Sequence, residues 1–321
     1  MSIIDEILKR PEFADRPPIL LDIGAAGEIN PKWREIAPYS ICIAFDADDR
    51  EMGYVERETK GYRELFVYNC IASADSTGQA LFFLTHSPQC SSLLEPRYQD
   101  LEKWAFCESF HVKEKIRLQA KALPDVLAEL NISRIDWFKT DSQGSDLRLF
   151  ASLGDDMIAH VLAAEFEPGI IDAYYGEDKL WQILAYMENK PFWLSSLTVK
   201  GSQRISSVSR KRFLSQPQTR LLPALLRSSP GWGEMTYLNL FEKDSQRFDR
   251  RDYLLGWIFA IIEKQYGFAL DLSILGAQWF GDPIFSKLER ESLMRLRRGY
   301  LSLPFFLIKT IWGRMHRLVR G

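Results

Sequence analysis

Three apolar runs in the first quarter of the chain constrain its fold more than any other feature. Ile19–Ile23, Ile41–Phe45 and Phe66–Ala72 are almost continuously apolar, and the first two stop at Gly24 and Asp46. A strand with one wet face alternates apolar and polar residues. Near-continuous runs arise instead where a parallel sheet is covered on both faces. The pattern then continues as strand and helix in turn. Pro124–Leu130 reads as a helix, Ile135–Lys139 as a strand, Ser145–Leu153 as a helix, Ile158–Phe166 as a strand and Asp178–Met187 as a helix. The fold class is therefore α/β, with a doubly wound, mostly parallel sheet.

From Pro191 the texture changes. Phe192–Val199 and Gln203–Val208 read as strands, Ser209–Ser229 is basic and punctuated by proline, and Met235–Leu240 reads as a last sheet strand. Beyond Phe241 the pattern is helical. The expected organisation is one α/β domain over residues 1–240 and a helical C-terminal extension over 241–321.

Composition removes several classes. Forty-one Lys and Arg face 43 Asp and Glu, and 46% of the 321 residues are hydrophobic, so the chain is neither a disordered tail nor a basic nucleic-acid arm. Cys42, Cys70, Cys90 and Cys107 form no C-x-x-C pair and have no histidine at zinc spacing, so no metal is expected and a reduced, cytoplasmic chain is. The first residues lack the features of a signal peptide, and no apolar run approaches the roughly 20 residues that cross a bilayer.

The segment Asp22-Ile23-Gly24-Ala25-Ala26-Gly27 follows the first strand as a turn of small residues, where a ligand can approach the backbone. A helix expected after the turn would aim free N–H groups at that ligand. Asp46 closes the second strand, 24 residues after Asp22, where a carboxylate can accept both hydroxyls of a ribose. The turn does not satisfy G-x-G-x-x-G, which argues against a nicotinamide enzyme.

Further along stand Ser91-Ser92-Leu93 and the block Ile135-Asp136-Trp137-Phe138-Lys139-Thr140-Asp141-Ser142-Gln143-Gly144-Ser145-Asp146. With Asp22-Ile23-Gly24-Ala25 and Asp46, these residues resemble the motifs of the FkbM-type family of S-adenosylmethionine-dependent methyltransferases, whose last block reads I-D-x-x-K-x-D-x-x-G-x-[ED]. The resemblance runs from about Leu20 to Glu167. The chain departs from it at Ala26, where asparagine is usual, at Gly27, which arrives one position early, and at Gln143 and Asp146.

The resemblance implies a Rossmann-like class I methyltransferase fold, S-adenosyl-L-methionine as cofactor, and methyl transfer to a hydroxyl of a sugar, glycan or other natural product. A hydroxyl acceptor must lose its proton as it attacks. Asp141, at the end of the fourth strand, is the first candidate for that base. Lys139, two residues earlier, favours its ionised form, and Glu165 and Glu167, at the end of the fifth strand, are alternatives. The implied cofactor residues are Asp22, Gly24, Ala25, Gly27 and Asp46, with Cys70 and Ile71 beside the adenine and Ser92 in a covering loop. His86 and His111 are placed near the pocket mouth. The rival readings are a non-catalytic nucleotide-binding or scaffolding module on the same fold, and a sugar-nucleotide-using transferase.

The near-neutral total hides an uneven distribution. Residues 286–321 carry nine cations and two anions, a net +7, which leaves −9 on the remainder. Phe305, Ile308, Trp312, Met315 and Val319 fall on one helical face. Residues 302–321 are therefore expected to form a basic amphipathic helix, which either lies peripherally on an anionic membrane surface or docks on its own domain or a second copy. Nucleic acid is not an expected partner, because the remainder is acidic.

Overall fold

The computed structural model describes residues 2–25, 29–48, 50, 61–75, 78–216, 218, 226–241 and 247–301. Two compact units divide the chain, Met1–Arg247 and Phe248–Gly321.

The first unit is built on a seven-stranded sheet. Its strands are β1 (Ile19–Ile23), β2 (Ile41–Phe45), β3 (Glu64–Tyr68), β7 (Trp137–Thr140), β8 (Ala163–Phe166), β9 (Phe192–Ser202) and β10 (Ser229–Asn239). They lie in the order β3-β2-β1-β7-β8-β10-β9. The first five are parallel; β10 runs antiparallel to both of its neighbours. The chain moves outward from β1 to β3 on one side and from β7 to β8 on the other. The switch point, where open α/β sheets bind ligands, therefore lies at the carboxyl ends of β1 and β7. This is a mixed α/β unit compatible with a Rossmann-like fold.

Both faces of the sheet are buried, which explains the continuous apolar runs. One face presents Leu21, Ile23, Ile43, Phe45, Phe138, Ala164 and Phe166 to the helices α4 (Leu123–Glu129), α5 (Asp146–Ala151), α6 (Asp155–Ile158) and α7 (Leu180–Met187). On the other face Leu20, Cys42, Ala44 and Trp137 are fully buried, and the Trp33 ring meets Trp137 edge to face at 5.9 Å. A second sheet, in the order β4-β6-β5, joins β4 (Ile71–Ser73), β5 (Gly78–Thr85) and β6 (Val112–Ala122).

Several boundaries differ from the sequence reading. The expected third strand divides after Tyr68, and Ile71–Ser73 leave the large sheet to pair with Ala120–Ala122. The segment from Ile158 is extended only from Ala163, because four-residue β7 offers a short ladder; Asp155–Ile158 instead form a helical turn after Gly154 at φ 77°. Gln203–Val208 is no strand: the Ser206 hydroxyl caps the helix α8 (Ser207–Phe213) by accepting the Ser209 N–H. No helix directly follows β1 among the described residues. Pro31–Trp33 and Ala37–Tyr39 are single 3-10 turns.

The second unit contains α9 (Arg250–Ile262), α10 (Tyr266–Phe280) and α11 (Pro283–Leu301). The Trp257 indole donates to Ser292 Oγ at 2.9 Å, and the Phe280 and Phe285 rings stack at 5.9 Å. The amphipathic stretch 302–321 lies outside the described residues. Among those described, no helix is long and apolar enough to cross a membrane.

Phe150 on α5 is fully buried, with ring centroids 5.0 Å from Phe138 and 5.2 Å from Phe166. Phe150→Ala is expected to cost ~3–5 kcal/mol through lost burial and the cavity left behind. Urea unfolding followed by tryptophan fluorescence measures this, and a loss below about 1 kcal/mol contradicts the packing described.

Candidate functional site

The middle of the large sheet is held by a row of polar side chains on the face opposite α5. Register places Lys139 on β7 beside Asp22 on β1 and Glu165 on β8, with Thr236 of β10 next to Glu165. Lys139 Nζ donates to Asp22 Oδ1 at 2.6 Å, and Asp22 is only 2% exposed. Burial opposes the Lys139 charge, yet Asp22, followed by Asp141 and Glu165, holds the ammonium above the usual lysine range. Glu165 accepts from Lys32 Nζ at 2.7 Å and from the Trp137 indole at 2.8 Å. Asp22, Lys139 and Glu165 line neither of the two cavities described below; their observed role is to tie the central strands together.

Above this row, β1 and β7 end against each other. Gly24 has φ 80°, and a Cβ there would fall 2.4 Å from the Asp141 carbonyl oxygen, so only glycine lets the two strand ends meet. The Gly24 and Ala25 N–H groups donate to the Phe45 carbonyl at 2.9 and 3.1 Å, which draws the turn over the end of β2. Gly27 lies outside the described residues.

Asp146 plays the corresponding part for β7 and β8. It is 1% exposed at the start of α5. Its Oδ1 accepts from Thr140 Oγ1 and from the Ser142 N–H and hydroxyl, while its Oδ2 accepts the Glu167 N–H at 2.9 Å. One carboxylate thus fixes the loop after β7 to the end of β8. Gly144, at φ 109°, lies against Glu177 and Leu94, where a Cβ would come within 3.0 Å of both.

Two cavities open at this end of the sheet. Ile23, Gly24, Asp46, Cys70, Ile71, Phe82, Ser91 and Leu93 are among the residues that line the first. Burial pushes the Cys70 thiol up, so it stays a neutral wall. The Asp46 carboxylate accepts the Asp48 N–H at 2.9 Å. Arg50 latches the rim by donating to Asp48, the Thr85 carbonyl and Ser91 Oγ. Of the two loop serines, Ser91 faces this cavity. Ser92, 1% exposed, instead donates to the Gln143 carbonyl at 2.8 Å and accepts the Leu94 N–H.

The second cavity, of about 350 Å³, is lined by residues that include Phe106, Phe110, Tyr174, Trp232, Glu167 and Glu234. Gln89, Asp141 and Gln143 belong to the walls of both cavities. Gln143 Nε2 donates to Asp141 Oδ1, and Gln143 Oε1 accepts from Tyr174 Oη at 3.1 Å, so the shared wall is held in place from the second side. Burial raises Asp141 to about 6; the charge of Lys139 opposes the rise and that of Asp146 adds to it. Glu167 is raised to about 8 by burial and by the charges of Asp141 and Glu234. A pair of neighbouring carboxyls set apart in this way can accept a proton at one and retain it at the other near neutral pH.

Asp141, Gly24, Asp46, Cys70 and Ile71 are therefore brought together around one cavity. His86 and His111 are placed elsewhere: the His86 N–H donates to the His111 carbonyl where β5 and β6 close, and neither residue lines either of these two cavities. Tyr174, Trp232, Phe106 and Phe110 come from loops and from β10, and no local spacing in the sequence marks them. Among the described residues no cluster of metal-binding side chains is present. Comparison with protein families, curated proteins and solved structures returns no match.

Lys139→Met leaves Asp22 buried without its cation, and should cost ~3–5 kcal/mol. Adding Asp22→Leu should recover most of that loss, and additive losses in this double-mutant cycle contradict the pairing. Because Glu167 is raised in the folded state, the stability it contributes is complete below its usual value and is lost as pH rises from about 4.5 to about 8, at up to ~1.4 kcal/mol per pH unit. Glu167→Gln should flatten that part of the stability–pH curve. An unchanged slope contradicts the burial of an unpaired carboxyl.

Proposed function

We propose that this chain is an S-adenosylmethionine-dependent methyltransferase of the FkbM type, acting on a hydroxyl group of a sugar, glycan or other natural product. The observation that carries this reading is the shared wall. Asp141, an acid with a raised pKa, stands between a first cavity lined by Gly24, Asp46 and uncharged side chains and a second, aromatic cavity.

The residues of the first cavity suit the cofactor. Gly24 leaves backbone space that a Cβ would fill, Asp46 offers a carboxylate for ribose hydroxyls, and Cys70, Ile71, Ala72, Phe82 and Leu93 offer an uncharged wall for adenine. Held there, S-adenosylmethionine would supply a methyl group already activated by its sulfonium. The work left to the protein is alignment, exclusion of water and removal of the hydroxyl proton. Asp141 accepts that proton. A carboxyl near 6 is ionised at neutral pH yet more basic than an ordinary aspartate. Gln143, itself held by Tyr174, orients the carboxylate, and Glu167 keeps its own proton beside it.

S-adenosylhomocysteine should raise the melting temperature, and Asp46→Ala should abolish the shift. In a labelled-methyl assay against fractionated cell extract, the rate should climb through about pH 6 and fall at least 100-fold in Asp141→Asn. No shift with S-adenosylhomocysteine or S-adenosylmethionine would end this reading, and a shift with a nucleoside diphosphate instead would favour a sugar-nucleotide transferase.

A further inference from the structure

The second cavity has two chemically different sides. One is a continuous aromatic wall: Trp232 meets Phe106 at 6.3 Å, Phe106 meets Phe110 at 5.7 Å, and Phe110 meets Tyr174 at 5.6 Å between ring centroids. Leu101, Cys107 and Ala173 pack against this wall and make it rigid. The other side is acidic, formed by Asp141, Glu167, Glu177 and Glu234. Among the described residues no Lys, Arg or His lines the cavity.

The acids differ in how they are satisfied. Glu177 pairs with Lys179 at 2.6 Å, Glu234 pairs with Lys200 at 3.2 Å on the exposed side of β10, and Asp141 accepts from Gln143. The carboxyl of Glu167, mostly buried, has no hydrogen-bond or ion-pair partner among the described residues. Burial, then the charges of Asp141 and Glu234, oppose its ionisation, and the charge of Lys139 only partly offsets them. A cation placed beside Glu167 draws it into its ionised form, the proton leaving to solvent, and gains the attraction of that carboxylate and of the faces of the aromatic rings. A phosphate or carboxylate would meet the same acids with no cation in the lining, since Lys179 and Lys200 are already paired with Glu177 and Glu234.

Building on the methyltransferase reading, we infer that the acceptor carries an ammonium group as well as the hydroxyl to be methylated, the ammonium lying between Glu167 and the aromatic wall and the hydroxyl at Asp141. The cavity is large enough for an amino sugar or an aromatic amino alcohol. Its geometry separates the two roles: Asp141 faces both cavities, whereas Glu167 and Glu234 face only the second. The ammonium selects the acceptor and the hydroxyl reacts.

The test uses the full chain saturated with S-adenosylhomocysteine and pairs in which acetylation removes the ammonium charge: glucosamine against N-acetylglucosamine, and tyramine against N-acetyltyramine. Calorimetry should show at least one amine binding tenfold or more tightly than its acetylated twin. That preference should drop at least fivefold in Glu167→Gln, with S-adenosylhomocysteine affinity unchanged. Glucosamine 6-phosphate should bind more weakly than glucosamine. Equal binding within both pairs, tighter binding of the phosphate, or a preference that survives Glu167→Gln overturns the inference. These outcomes differ from failure of the underlying reading, in which S-adenosylhomocysteine itself does not bind.

Discussion

The meeting of β1 with β7 is the constraint on which the first unit depends. These strands begin the two halves of a sheet that grows outward in opposite directions, so no local hydrogen-bonded turn joins them, and long-range contacts must fix their register. Asp22 and Lys139 provide one such contact, buried at the centre of the sheet and extended by Glu165, Lys32 and Trp137. Gly24 provides the other by letting the backbone of the first turn rest against Asp141. Burying an ion pair adds little net stability compared with an apolar pair, but a misregistered β7 would leave both charges unpaired in the interior. The pair thus acts chiefly on register, and register decides which residues reach the crevice.

The block from Lys139 to Asp146 follows from the same geometry. Each position answers a separate demand within eight residues. Lys139 balances Asp22, Asp141 leaves the strand and faces the cavities, and Gly144 allows the loop to pass under Glu177. Asp146 then joins the loops after β7 and β8 through four accepted hydrogen bonds. Most of this block therefore holds Asp141 in place. Asp141 alone among its acids borders a cavity, and burial together with neighbouring charge gives it a proton affinity suited to neutral pH.

Much of the large sheet was legible because burial on two faces leaves an unmistakable composition. β1 and β2 begin and end where their apolar runs do, and Asp46 and Asp141 follow their strands as expected. The second sheet was not legible. β6 reads Val112-Lys113-Glu114-Lys115-Ile116-Arg117-Leu118, a charged stretch whose period-two alternation becomes meaningful only when β5 and β4 pair with it. The early end of the third strand was hidden for a related reason: Phe66–Ala72 is apolar but for Asn69, although its two halves serve different sheets.

By itself the sequence determined the class of fold, the glycine at the crevice, and the acids that close β2 and β7, because each depends on local chemistry: burial, backbone freedom, and charge at a strand end. Only the tertiary structure decided how the remaining acids are used. Glu165 and Glu167 are two residues apart, yet one is neutralised by Lys32 in the sheet and the other lines a cavity beside Asp141 without a hydrogen-bond or ion-pair partner among the described residues. Strand register and the loop that follows it direct them to different surroundings. The aromatic wall opposite Glu167 is assembled from three segments spread between Phe106 and Trp232, so no spacing along the chain could reveal it.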